Sequence, residues 1–479
     1  MTATLVDNIE LLQTTLTEEQ EVTFQCDQYV RGEQIDPYSP NEYEEEYREL
    51  VARCKTNVIR IPPIVVSQVS SLAGFRRVED YDENGEPISV PFPQEWKDLK
   101  RQRLGVIEKP IYHAAATYGQ AFVEVFEDGD GRPAINVLSS LNTVAMFDNP
   151  VSDEFPALAY EFVSEPSDDE PGQAWGWDAE NKYDIRTDSR GDWKIHQTVP
   201  HGFGVTPIVR FPCFLDTEGR VTGLVENLIE AQDRINQTVL DLLTGQAYTG
   251  SQVVTASGVT GEPVFDEHGH AVIDPNTGEQ AVRPLQVSSR RVLTSPDKEA
   301  KFGTIGAGDL RSLMEALGNS LETFAILGQM SPYIFHQGGF DNLSTDALAA
   351  IDAQFFRLIN MLHDQWAENW CSVMRLFSRI NGDEAGVNAW DSEVRWADYS
   401  IKTFAGVADG LSKVVDSLGI PKRGAWQMIP GVSASMLQQW DELKAKEGEF
   451  GLDPDDPDAY AAEIEQSSRE ELSGEEIRD

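Results

Sequence analysis

Positive charge is scarce in this 479-residue sequence: 38 Lys and Arg stand against 81 Asp and Glu, for a net charge of −43. A chain so acidic does not grip duplex DNA through its overall field, because neutralising phosphates needs clustered Lys and Arg. Adhesion to an anionic membrane surface is disfavoured for the same reason. Cysteine is also sparse. Cys26, Cys54, Cys213 and Cys371 form no CxxC pair and have no His at zinc spacing, so they read as reduced, partly buried thiols. No apolar run reaches the roughly 18–20 residues that span a bilayer. The start, MTATLVDNIELLQ, lacks the basic and apolar stretches of a signal peptide. These absences lead us to expect a chain made and used in the cytoplasm, or in a particle assembled there.

Catalytic signatures are missing too. There is no GxxxxGK[ST] phosphate loop and no GxSxG elbow. The Gly-rich stretch at 303–308 (GTIGAG) has no Lys and no apolar strand before it, so it reads as a flexible helix start. Asp266, His268 and His270 sit in a turn-rich segment with no further ligand spaced on a strand or helix, and read as a solvated hairpin. Residues 127–131 (EDGDG) resemble part of a calcium loop, but Leu138 and Ser139 fall where its closing Glu belongs, so a plain β-turn is expected. Trp366 and Trp370, four apart on a helix, read as core. No catalytic residue, metal or cofactor is expected, and the chain is not read as an enzyme.

What is present is a globular composition, 40% apolar and 9% aromatic. The charge is uneven: residues 1–50 hold 13 acids and two bases, and residues 441–479 hold 15 acids and four bases. About half of the excess therefore sits in the two ends, unlike a uniform halophilic adaptation. Residues to about 38 read as weakly helical. A helix is expected from Pro40 to Lys55 with Asn41 as its cap, and another after Pro62-Pro63 that stops at Gly74. A helix from Trp96 to Gly119 then leads into strand patterns, notably 120–127, 133–138, 157–163, 183–186, 193–197 and 207–212, with 165–181 polar and turn-forming.

From Gly223, Leu224, Leu228, Ala231, Ile235, Val239 and Leu242 step by three and four, the stripe of a helix about 30 Å long. A second such helix covers about 308–327, with Leu310, Leu313, Leu317, Leu321 and Phe324. Between them lies a β-rich insertion that holds a basic doublet, Arg290-Arg291. A Gly-rich loop at 328–342 and a helix of about 35 residues follow, the latter starting near Ser344 and ending at Asn381-Gly382. Helical segments and an acidic, Pro-broken tail close the chain.

This collinear order, supported by local motifs, resembles the portal proteins of tailed bacteriophages, of the actinobacterial-phage type. The motifs are residues 57–67 (NVIRIPPIVVS) with 72–75 (LAGF), 114–123 (AAATYGQAFV), 223–238 (GLVENLIEAQDRINQT), 344–348 (STDAL) and 370–376 (WCSVMRL). The resemblance implies an α+β, predominantly helical portal fold that forms rings. Its parts would be an arm and wing over 1–221, a stem helix over 222–247, a clip over 248–300 and a second stem helix over 301–327. A channel loop would follow over 328–343, then a long helix and C-terminal wing over 344–425 and an acidic crown over 426–479. It implies about twelve copies around duplex DNA at one capsid vertex of the virion. The implied partners are the large terminase, a head–tail connector, and the major capsid and scaffolding proteins, with no membrane. Gln329, His336, Gln337 and Asn342 would face DNA, and Arg290 and Arg291 would dock the motor. Leu228, Ile235, Leu242, Leu313, Leu317 and Leu321 would pack the stem. On the residues alone, another structural head or connector protein and an acidic multidomain hydrolase stay open.

Overall fold

A computed structural model describes residues 5–38, 45–82, 87–91, 93–167, 170–250, 254–257, 262–266, 268–273, 282–283, 301–304, 310–331 and 352–398, with scattered positions between 410 and 444. The chain is a mixture of helix and sheet. It divides into two compact units, Met1–Gln68 with Gln94–Trp390, and Val69–Pro93 with Asp391–Asp479.

In the smaller unit, β1 (Leu72–Tyr81) is the middle of a three-stranded antiparallel sheet. One neighbour is β2 (Pro87–Pro91) and the other is the distant strand Glu393–Trp396. Leu72 to Phe75 was expected to end a helix. It is strand instead, with a register shift between Leu72 and Gly74. The apolar run has the same composition either way, and it is the partner strand some 320 residues later that makes it β.

In the larger unit, α1 (Leu5–Arg31) is a 27-residue helix, not the weak one expected. Leu5, Ile9, Leu12 and Leu16, spaced four, three and four, bury one face of it. Next come α2 (Glu45–Cys54) and α3 (Ile61–Val69). The prolines Pro62 and Pro63 lie in the first turn of α3, where a missing N–H costs nothing. Then follow α4 (Gln94–Arg101) and α5 (Leu104–Tyr118).

One sheet is formed by β3 (Gln120–Glu127), β4 (Pro133–Leu138) and β10 (Ile208–Pro212), in the order β10-β3-β4. The other is a meander of β5 (Thr143–Met146), β6 (Leu158–Ser164), β7 (Gln173–Trp177), β8 (Asn181–Thr187) and β9 (Trp193–Pro200). Its central strand, β7, lies in the stretch expected to be turn-forming. Gly176 explains how it joins the core: a Cβ there would come within 2.4 Å of Leu5 Cδ2, so the glycine is where α1 beds into the sheet. Leu5, Ile9, Leu12 and Leu16 pack there with Val144, Leu158, Tyr160 and Ile185.

Four tight turns close by a shared device. At Asp128, Asp188, Asp216 and Asp266, the carboxylate accepts the backbone N–H groups two and four residues on. The third following residue is a glycine at φ 76 to 87. The expected β-turn at 128–131 and the expected hairpin at 266–270 are both present.

Beyond β11 (Phe214–Leu215) and β12 (Val221–Thr222) comes α6 (Ile229–Gly250), preceded by one 3-10 turn. A β module then uses β13 (Val254–Ser257), β14 (Glu262–Pro263), β15 (Val282–Arg283) and β16 (Lys301–Thr304), paired β13-β16 and β14-β15. Gly303 therefore sits in a strand rather than a helix start. Then come α7 (Arg311–Leu327) and α8 (Ala353–Ile380). The expected start of α8 near Ser344 lies outside the described residues. Trp366 and Trp370 of α8 are core, as expected: their indole N–H groups donate to Pro212 O at 2.8 Å and to Tyr112 Oη at 2.9 Å. Tyr112 stacks on Trp366 with centroids 4.9 Å apart. The four cysteines are buried thiols outside any disulfide.

Candidate functional site: the junction at the base of the helical pair

Three of the motifs singled out in the sequence, around Asn57, Gly119 and Gly223 to Asn236, meet at one place, where α6 leaves the body. Gly119 caps α5 at φ 94 and takes its N–H back to Ala115 O at 3.0 Å. A Cβ on Gly223 would stand 2.7 Å from Thr117 O and 2.8 Å from Gly119 N, so two backbones cross where no side chain fits. Leu224 N donates to Ala116 O at 2.8 Å and Cys213 N to Gly119 O at 2.7 Å. The chain leaving β10 and the chain approaching α6 are thus both tied to the end of α5.

One turn further, α6 grips the N-terminal segment through polar side chains. Gln232, Asp233 and Asn236 stand at i, i+1 and i+4, on one helix face. Gln232 Oε1 accepts Ile59 N–H at 2.9 Å, and its amide donates to Thr56 O at 2.9 Å and to Asn236 Oδ1 at 2.9 Å. Asn236 Oδ1 also accepts Thr56 N–H and Oγ1–H, each at 2.9 Å. Tyr29 donates to both oxygens of Asp233 at 2.8 Å, and Tyr118 donates to Asp27 at 2.7 Å. Burial, then those carboxylates, raise both phenols well above their ordinary pKa, so they stay protonated donors. Asn57 Nδ2 donates to Val30 O at 2.7 Å. With Gln232 and Asn236 at 0 and 1% exposure, losing one partner leaves buried polar atoms unpaired, at about 1–3 kcal/mol.

Around this clasp lies an apolar cluster of Cys26, Tyr29, Ile59, Val225, Leu228, Ile235 and Phe324, with Leu317 and Leu321 against it. The portal resemblance implied that these stripes pack the stem. The chain itself covers Leu228 and Ile235, because α1 supplies a third wall that the stripes do not announce. Leu242 and Leu313 are half-buried, and Gly245 lets α7 approach, since a Cβ there would meet Leu310 at 2.8 Å. What α7 leaves to solvent is Met314, Ile326 and Leu327, between 54 and 65% exposed.

Gln329 is exposed and follows α7 at φ 51, held there by Gly328 N–H to Phe324 O and Met330 N–H to Ala325 O, both 2.9 Å. His336, Gln337, Asn342, Arg290 and Arg291 lie outside the described residues.

Among the described residues no cluster of His, Cys, Asp and Glu is fit to hold a metal. A cavity of about 440 Å³ between β3, β8, the end of β9 and the end of α8 contains Glu124, Lys182, His201 and Arg379. Its buried carboxylate is engaged: Glu124 accepts from Lys182 at 2.6 Å and from the indole of Trp177 at 3.0 Å. Burial holds the His201 imidazole below its usual pKa.

Residues 78–449 match the family described as phage portal protein, SPP1 Gp6-like. The chain belongs to that family. Two portal proteins, from Mycobacterium phages L5 and D29, are each 22% identical to it over 409 residues, 80% of this chain and 78% of theirs. Solved structures that resemble it include a chain from the virion of a native gene transfer agent particle. That chain has 14% identity and a TM-score of 0.42, over 87% of this chain and 96% of the other. A chain from the neck of such a particle, computed with C12 symmetry, has the same identity and score over 85% and 90%.

The portal-family match runs through both long helices of the pair and all of α8. The motifs at 57, 118–119, 223 and 233–236 are one built object, a joint between the start of α6 and the elements packed around it. Spacing alone did not disclose this, because the partners are up to 204 residues apart.

Proposed function

We propose that this portal-family chain forms a ring of about twelve copies at one vertex of a phage capsid, with duplex DNA passing through its centre on packaging and ejection. The single observation that carries the reading is the family match over 78–449, which takes in the helical pair and the β module between its helices. In this reading 1–221 is the N-terminal arm and wing, α6 and α7 are the stem (222–247 and 301–327), and 248–300 is the clip. Residues 328–343 line the channel, 344–425 return to the wing, and 426–479 form the crown. No catalytic role is assigned to the chain.

Physical tasks follow for the residues. Gln329, His336, Gln337 and Asn342 offer uncharged hydrogen bonds to DNA as it slides. Arg290 and Arg291 serve the docking of the terminase motor and later of the connector. Within the stem, Leu228 and Ile235 hold a protomer together along with Leu317 and Leu321, while Leu242 and Leu313 sit closer to the neighbouring copy. The net charge of −43 suits a conduit, because each Lys–phosphate contact adds affinity and hinders sliding.

Native mass by light scattering tests the proposal. Twelve copies of 53.3 kDa give about 640 kDa. A species below about 150 kDa under every condition would favour the acidic-hydrolase reading, and a large assembly without a central hole would favour another head protein.

A further inference from the structure

Five basic residues of this acidic chain gather at one corner. On α4, Lys97, Lys100 and Arg101 are exposed on one face. Arg103 follows in the turn to α5, and Arg132 lies close by across Asp128. The acids of the same helices point the other way. Glu95 is 1% exposed and accepts from Ser378 at 2.5 Å; Asp98 is 6% exposed and accepts from Gln94 and Asn381; Glu108 is 3% exposed beside Tyr112. Turning acids inward and bases outward makes a cationic surface from a stretch of nearly balanced sequence.

That surface is little neutralised. Arg101 reaches Asp128 at 3.4 Å, and Lys100 lies 4.7 Å over the Trp96 ring. Lys97, Lys100 and Arg103 have no carboxylate partner among the described residues, in a chain with twice as many acids as bases. Arg103 also holds φ 63, a left-handed turn conformation that glycine would adopt without strain. Val106 beside it is 56% exposed.

The complementary surface is on the same chain. The outward face of α1 carries Glu10, Glu18 and Glu21 within about 80° of the helix wheel, all exposed and without a cationic partner among the described residues. Leu11 and Val22, 48 and 41% exposed, flank them. Copies that each carry −43 repel one another unless opposite charges meet at close range, inside the Debye length of about 8 Å.

Resting on the ring-forming reading above, we infer that the α4–α5 corner of one copy docks on the outward acidic face of α1 of the next. Two different faces meet, which is the head-to-tail contact that closes a ring. Lys97, Lys100 and Arg103 meet Glu10, Glu18 and Glu21, and Val106 meets Leu11 and Val22.

Charge swaps in the full chain test this by mass photometry in 100 mM and 500 mM NaCl. One variant carries Lys97→Glu, Lys100→Glu and Arg103→Glu; a second carries Glu10→Lys, Glu18→Lys and Glu21→Lys; a third carries all six. Each triple is expected to weaken assembly by about tenfold or more at 100 mM salt, because like charges then face each other, and the sixfold variant to recover it. All substituted side chains are exposed, so unchanged circular dichroism melting is expected and identifies a lost contact rather than a lost fold. A corner triple that assembles like the parent chain, or a sixfold variant that does not recover, overturns the contact and leaves the ring intact. So does a corner triple that assembles normally but loses retention of a 30-bp duplex, which would assign the corner to phosphates. A parent chain that never assembles overturns the ring itself.

Discussion

α6 and α7 carry the same kind of apolar stripe, at the same spacing and over similar lengths, and pack it on one cluster, yet they differ in what else they bury and expose. α6 spends Leu228 and Ile235 inside the chain, under α1, and adds the buried amides of Gln232 and Asn236. α7 packs Leu317, Leu321 and Phe324 of its stripe on the same cluster but buries no polar group like those amides, and it leaves Met314, Ile326 and Leu327, which lie off that stripe, in solvent. Periodicity reports that a face is apolar; it does not report what covers it. The difference came from α1, a helix whose own stripe was diluted by acids and threonines.

Substitutions ranked by effect can break this contrast. The largest falls at the root of α6. Gly223→Val puts a branched side chain against Thr117 O, and backbone on both sides cannot yield, so loss of the cooperative fold is expected in urea titrations. Ile235→Ala, at 1% exposure, should cost about 2–5 kcal/mol by the same measurement. Equal tolerance of Ile235→Ala and Met314→Ala would erase the distinction between the two helices.

A pH scan sharpens it, because α6 is covered only while α1 stays seated. Burial raises the Glu19 carboxyl to about 7, opposed by Arg210 and by the amide of Gln120 at 3.0 Å. The folded state therefore holds a proton that the unfolded chain has released. Its stabilising effect is full below about pH 4.5 and is lost as the pH rises through about 7, a swing of at most about 3 kcal/mol. Glu19→Gln should flatten the slope of stability between pH 5 and 8; an unchanged slope would remove Glu19 as the titrating group. Asn236→Ala should cost about 1–3 kcal/mol, since it strips two donors of Thr56 of their shared acceptor. The smallest effect is Met314→Ala: a change within about 0.5 kcal/mol in the monomer, with self-association weakened.

Much of the larger unit was legible. The three long periodic stretches became α6, α7 and α8, the twin tryptophans were core, and the strands at 120–127 and 133–138 paired as a hairpin. Other parts were not. β7 hid in a polar stretch because its apolar content is one alanine and two tryptophans around a glycine, and its burial depends on Leu5. Leu72 to Phe75 took its structure from a strand far along the chain. At the joint, Asn57, Gly119, Gly223 and Asn236 were visible as separate motifs, but only tertiary structure could bring them together. The cationic corner escaped notice because Glu95, Asp98 and Glu108 mask it in the sequence, and only burial takes them off the surface.

The ring is the central claim, and electron microscopy of the purified full-length protein tests it most directly. The account predicts negatively stained rings of about twelve copies with an open central channel, at a mass near twelve times 53.3 kDa. Solid discs, or single copies at every salt concentration, would contradict it.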